Sequence, residues 1–150
     1  MTQSSCLCGT NIISWTATPA LKFRCHCTDE RKLTGAAFAL NIIIPAVAPT
    51  VLKGELVVWG KVVDSGNTMY NHSCGQCGSL LYRHSTGYPG VFTVKAGCID
   101  SEGGEEDASS VFVPDIEIFT RSRVPYVPAF EGVVQCEGDF TKEALAALGF

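Results

Sequence analysis

The sequence predicts a mostly β domain, on three observations. Runs of β-branched and aromatic residues recur along the chain, turn residues punctuate them, and helix-forming stretches are scarce. Ala37 to Ile44 is the densest apolar run and reads as a buried strand. Asn11 to Thr16 alternates weakly, and Glu55 to Val63 is rich in β-branched and aromatic residues. Asp64-Ser65-Gly66-Asn67 then signals a turn. Met69 to Ser73 and Ser79 to Arg83 read as the two arms of a hairpin, and Val91 to Ala96 and Ile116 to Phe119 as further strands. Ser101 to Ser110 is polar, acidic and glycine-rich, the composition of an exposed loop. Only Thr28 to Leu33 and Thr141 to Leu148 suggest helix, the second with Thr141 as its cap.

Length and composition exclude several classes of function. A chain of 150 residues fits one domain spanning 1–150, and 46% hydrophobic residues exclude general disorder. The formal charge of −4 leaves no basic footprint, so nucleic acid is not an expected partner. A membrane is not expected either. The longest apolar run, Ala36 to Ala48, is broken by Asn41 and Pro45 and is too short to span a bilayer. No basic region precedes an apolar segment at the N-terminus, so the chain reads as cytoplasmic, where disulfides are rare.

In that setting eight cysteines point to metal or chemistry. They come as Cys6-Leu7-Cys8-Gly9, Cys25-His26-Cys27 and Cys74-Gly75-Gln76-Cys77-Gly78, with Cys98 and Cys136 alone. A C-x-x-C-G pair offers two thiolates from a tight turn, the glycine supplying the backbone freedom to aim both inward. A C-x-C pair on a strand would put both sulfurs on one face. Cys6, Cys8, Cys74 and Cys77 can therefore complete a tetrahedral four-thiolate zinc site that joins distant strands. Two disulfides or buried free thiols are the competing reading. A closed zinc site of this kind contributes on the order of 10 kcal/mol to folding.

Three strings carry a family resemblance: Ser5-Cys6-Leu7-Cys8-Gly9, Cys25-His26-Cys27-Thr28-Asp29, and Arg31-Lys32-Leu33-Thr34-Gly35. Further along, Cys74-Gly75-Gln76-Cys77-Gly78-Ser79, Lys95-Ala96-Gly97 and Ile118-Phe119-Thr120-Arg121-Ser122-Arg123-Val124-Pro125 extend it. Together they resemble the glutathione-dependent formaldehyde-activating enzyme family, and are most similar to its fungal-type members. The resemblance implies an Mss4-like β-tent with two zinc sites. One is the four-cysteine structural site; the other is a three-cysteine C-H-C-x-x-C site with a position open to a thiol or solvent. It also implies carbon–sulfur lyase chemistry, with glutathione as co-substrate and formaldehyde as the electrophile.

The chain departs from that pattern at Glu30, which stands where the third cysteine would be. Glu30 can complete a Cys25, Cys27, Glu30 zinc site, since zinc accepts carboxylate oxygen. It can instead remain unbound and move a proton as general acid or base. A third reading is a decayed site with Glu30 a solvated carboxylate at a helix start. Cys98 replaces the family's serine or threonine, so it is either a substitute ligand of the second zinc or an inert buried thiol. Cys136 reads as packing.

Weaker candidates surround these. His26 would point away from its flanking cysteines, in a supporting role. His72 and His84 read as surface or hairpin residues, and Asp29 as the cap of the following turn. Arg31 and Lys32 either attract a substrate carboxylate or lie on a solvated face. Arg121 and Arg123 would face one way from a strand, and either hold a substrate carboxylate or pair with Glu117 or Asp115. Trp59 and Tyr126 read as core or edge aromatics. Two classes of function follow. One is a zinc-dependent lyase or isomerase acting on a small electrophile, thiol adduct or natural-product intermediate of secondary metabolism, through catalytic Glu30, Cys25 and Cys27. The other is a non-catalytic zinc-stabilised module that binds a protein partner. A homodimer is the assembly entertained.

Overall fold

Eleven strands and two α-helices make up the described part of a computed structural model, which covers residues 1–100 and 112–150. The loop expected at Ser101 to Ser110 lies outside the described residues. Two compact units interleave in sequence: Met1–Ala20 with Ile42–Phe112, and Leu21–Asn41 with Val113–Phe150. Among the described residues no helix is long and apolar enough to cross a membrane.

In the first unit, β1 (Thr2–Ser5), β2 (Ile12–Trp15) and β5 (Thr50–Lys53) form an antiparallel sheet in the order β1-β2-β5. A meander follows, of β6 (Leu56–Val62), β7 (Thr68–Cys74), β8 (Leu80–Ser85) and β9 (Val91–Lys95). The expected turn joins β6 to β7. The Val63 amide donates to the Asn67 carbonyl at 2.9 Å, and Gly66 takes a φ of 83° that a side chain would resist. At the β7–β8 connection the Gly78 amide donates to the Cys74 carbonyl at 3.0 Å, and Gly78 has a φ of 76°. Ile13, Ile42, Ile44, Leu81 and Val94 are large apolar side chains of this unit that are fully buried.

The strand β4 (Ala39–Pro45) begins in the second unit and ends in the first. Its run is apolar, as a strand buried on both faces requires. In the second unit β10 (Ile116–Ile118) pairs in parallel with both β3 (Leu21–Cys25) and β11 (Val134–Gln135). The helices are α1 (Thr28–Thr34) and α2 (Lys142–Ala147), and Thr141 Oγ1 caps α2 by accepting from the Ala144 amide at 3.1 Å.

Glu117, at the middle of β10, is fully buried and charged. Its Oε1 lies 2.8 Å from His26 Nε2 and 3.1 Å from Arg24 Nε. Its Oε2 accepts from the Phe130 amide at 2.8 Å, Gln135 Nε2 at 2.7 Å and Arg123 Nη2 at 3.3 Å. Burial pushes this carboxyl up, but the Phe130 amide, His26, Gln135 and Arg24 outweigh it and hold the group down at about 2. The expected Arg123–Glu117 pair is therefore present, whereas Arg121 does something else. Phe119 takes a left-handed φ of 55° that ends the strand, so Arg121 falls in a 3₁₀ turn and lies over the Phe119 ring. Asp115 pairs with Lys22.

Removing one partner of a buried charged network leaves the others uncompensated, which costs about 3–5 kcal/mol. Glu117→Ala should lower the unfolding free energy by about that amount in urea titrations. The sign with pH follows from the depressed value. The contribution of Glu117 is fully present above the ordinary 4.5 and is lost as pH falls toward about 2, so the variant should show a flatter acid limb than wild type.

Candidate metal centre

The sulfurs of Cys6, Cys8, Cys74 and Cys77 lie within 4.8 Å of one another, and among the described residues no other such group of potential ligands forms. Cys6 and Cys8 are 3.5 Å apart, and Cys8 and Cys74 are 3.8 Å apart. Four thiolates around a zinc at about 2.3 Å would stand about 3.8 Å from each other. A disulfide would need about 2.05 Å. All eight cysteines are free, so the two-disulfide reading fails.

The first pair does not reach this place along a strand, as the C-x-C spacing suggested. β1 ends at Ser5 and the chain turns, with the Gly9 amide donating to the Cys6 carbonyl at 2.9 Å. The two turns give three of the sulfurs a local hydrogen-bond partner, while Cys8 Sγ donates to Thr10 Oγ1 at 3.2 Å. The Asn11 amide reaches Cys6 at 3.2 Å, Gln76 and Cys77 amides reach Cys74 at 3.4 and 3.5 Å, and Ser79 Oγ lies 3.3 Å from Cys77. A strand would commit those amides to its ladder; a turn leaves them for the sulfurs.

The thiols respond to one another as anions awaiting a cation. Burial pushes Cys6 up, yet the Asn11 amide and the Cys8 and Cys74 sulfurs leave it below its ordinary value. The Ser79 hydroxyl and amide draw Cys77 down to about 5. Cys8 is drawn down by Thr10, but Cys6, burial and Cys77 outweigh this and leave it raised. One thiolate thus comes at the expense of the next, and a divalent cation removes that conflict. The residues fit zinc on distance, donor type and second-sphere hydrogen bonds.

Cys25, Cys27 and Glu30 are neighbours in the second unit, but their donor atoms do not draw together as the first four sulfurs do. Cys25 closes β3 and is buried, and Cys27 is the N-cap of α1, its sulfur accepting from the Glu30 amide at 3.4 Å. Capping therefore falls to Cys27 rather than to Asp29, because Cys27 occupies the extended position before the first helical residue. Glu30 sits in the first turn with only 2% of its surface exposed. That burial is incompatible with a solvated carboxylate. Asn41 Nδ2 donates to Glu30 Oε1 at 3.4 Å, and the Thr34 hydroxyl donates to the Glu30 carbonyl at 2.7 Å. The hydrogen bond with Cys27, burial, and the charges of Cys27 and Glu30 push the Cys25 thiol far above its ordinary range.

His26 is fully buried and bound to Glu117, so Glu117 fixes the residue between the two cysteines. Cys98 Sγ donates to the Leu80 carbonyl at 3.4 Å, and burial pushes its thiol up to about 11. Cys136 is buried, and Trp59 and Tyr126 are exposed. His72 and His84 are not plain surface residues. Their Nε2 and Nδ1 stand 3.0 Å apart, and each ring stacks on a tyrosine, Tyr82 and Tyr70 respectively. The signal for this row was the alternation Tyr70-x-His72 and Tyr82-x-His84 on adjacent arms. Asn41, the partner of Glu30, carried no signal, since an asparagine inside an apolar run reads only as a break.

A family profile for the glutathione-dependent formaldehyde-activating enzyme matches residues 1–122. The chain belongs to that family. The match takes in every residue of both cysteine groups, in a family of enzymes that act with glutathione on formaldehyde. A crystal structure of a Rhodobacter sphaeroides protein is similar with a TM-score of 0.56, at 18% identity. It aligns over 75% of this chain and 97% of its own, a likeness of fold. No curated protein matches.

Cys74→Ala should abolish the zinc bound at this centre. Metal analysis of the purified variant should show one ion fewer per chain than wild type. Urea unfolding should show a loss of several kcal/mol, up to about 10.

Proposed function

We propose that the chain is a zinc-dependent lyase-type enzyme that makes or breaks a carbon–sulfur bond between a thiol and a small electrophile. Its working site is Cys25, Cys27 and Glu30. The observation that carries this reading is Glu30: a carboxylate only 2% exposed, in the helical turn that Cys27 caps and just beyond the strand end at Cys25. Family membership supports glutathione as the thiol.

The donor types of Cys25, Cys27 and Glu30 suit a second zinc, which these residues would hold only if their side chains closed further than they do here; when bound, it would supply a Lewis acid for an aldehyde oxygen or a thiol sulfur. The protein's own part is proton transfer and orientation. In the addition direction the thiol loses its proton, the sulfur–carbon bond forms, and the carbonyl electron pair moves to oxygen, which takes up a proton. Glu30 is the group in this constellation able to carry that proton from sulfur to oxygen, and the reverse path cleaves the adduct. Asn41 orients the carboxylate through Oε1, and Glu117 steadies the Cys25–Cys27 segment through His26.

Glu30→Gln keeps the shape and the hydrogen bond from Asn41, so the variant should fold and should lose about 10²–10⁴-fold in rate. Exchange of formaldehyde between its free and glutathione-bound forms, followed by NMR, supplies the assay. Glu30→Cys separates the two roles of the carboxylate. A Glu30 that only holds metal leaves the cysteine variant zinc-loaded and active. A Glu30 that carries the proton leaves it zinc-loaded and nearly inactive. Wild-type rates in Glu30→Gln would overturn the proposal.

A further inference from the structure

The strand β6 ends its sheet, with β7 on one side and, among the described residues, no strand on the other. Unlike most edge strands it is long, seven residues, and apolar. Val57, Val58, Trp59 and Val62 are each more than half exposed. Neither a proline nor a described bulge protects the edge, and Lys61 is its one charged residue. Such an edge is a template for another strand.

Which groups face outward follows from the turn. The Val63 amide bonds to Asn67 in β7's direction, and the register runs without a shift from Val62↔Thr68 to Leu56↔Cys74. Hydrogen-bonded positions alternate along an antiparallel pair. Lys61, Trp59 and Val57 therefore turn their amides and carbonyls toward β7, and the Trp59 carbonyl does accept there, from Asn71 Nδ2. Val62, Gly60, Val58 and Leu56 turn theirs to the open side.

We propose that this edge is a homodimer interface, in which β6 pairs antiparallel with β6 of a second copy about a two-fold axis through Val58. A two-fold axis normal to the sheet must pass through a residue, because directly opposed side chains share a face. An axis at Val58 sets each Val58 against its own counterpart in a hydrogen-bonded pair. Leu56 then opposes Gly60, where the absent side chain leaves the Tyr70 ring lying over the backbone. Val57 opposes Trp59, a β-branched and aromatic pair of the kind that stabilises sheets. Glu55, one residue before the strand, opposes Lys61, and the symmetry makes the ion pair twice. Shifting the axis by one residue would set Lys61 against Val57 or Lys53, and Glu55 against Val63 or Trp59. Only the Val58 axis matches charge to charge, so the occupant the edge fits is a second copy of itself.

Sedimentation equilibrium of the zinc-loaded protein, at concentrations up to about 1 mM, reads the association directly. Wild type should approach twice the 16.0 kDa of the chain. Glu55→Lys and Lys61→Glu should each weaken the dimer by about tenfold or more, and the double exchange should restore it. Val58→Pro removes an outward amide without touching the β7 ladder and should weaken it as much. Circular dichroism and zinc content identify variants that still fold, and Val58→Pro and Glu55→Lys stand if Lys61→Glu does not. A wild type that stays at 16.0 kDa throughout overturns the proposal, and so does a dimer indifferent to these folded variants.

Discussion

Four cysteine sulfurs held within 4.8 Å of each other are the constraint on which the first unit depends. Nothing in the apolar core of a unit this small obliges residues 6–8 to meet residues 74–77. Their meeting fixes the turn after β1 and the tip of the β7–β8 hairpin at once. Without a cation the arrangement is self-opposing, since lowering Cys6 and Cys77 goes with raising Cys8. With one, the same crowding becomes a tetrahedral site whose binding energy is folding energy. Each amide that points at a sulfur would otherwise need a partner, so the turn and the cluster support one another.

The second cysteine pair has the same spacing as the first and a different fate. Cys25 ends a strand and Cys27 caps a helix, so the first turn of that helix carries Glu30 beside them. Where the first group brings four cysteine sulfurs within 4.8 Å of one another, the second places two cysteines and a buried carboxylate near one another without drawing their donor atoms together. A closed thiolate set suits structure, and a site with an open position suits chemistry. Its rigidity comes from below. Glu117 binds His26 from the neighbouring strand and is itself held by arginine, glutamine and a backbone amide. A buried charge with that many partners is expensive to lose, which favours a stable position for the cysteines beside it.

Much of this was legible in the residues. The C-x-C and C-x-x-C-G spacings named the four ligands because tetrahedral thiolate geometry leaves few ways to combine them. A dense apolar run located β4, β-branched and aromatic content followed by a turn signal located β6, and the arms on either side of the C-x-x-C-G pair located β7 and β8. Thr141 and the good helix formers after it marked α2. The short pieces were hidden. β1, β5 and β11 span four residues or fewer, too short for any period to show, and β3 carries Lys22 and Arg24 inside its run. Parallel pairing of β10 with β3 joins residues about ninety positions apart, which no local pattern encodes. The same holds for the Glu117 network, whose members come from five separate places in the chain. Glu30 stood out by motif, but its burial and its contact with Asn41 depend on tertiary packing.

Zinc K-edge absorption of the wild-type protein, together with zinc stoichiometry, tests the central claim of two unlike sites most directly. The account predicts two zinc ions per chain with an average coordination of about three sulfurs and one lighter atom. That average follows from one four-thiolate site and one site of two thiolates, the Glu30 carboxylate and a solvent or substrate ligand. A single zinc surrounded by four sulfurs at about 2.3 Å, with no oxygen or nitrogen neighbour, would contradict it.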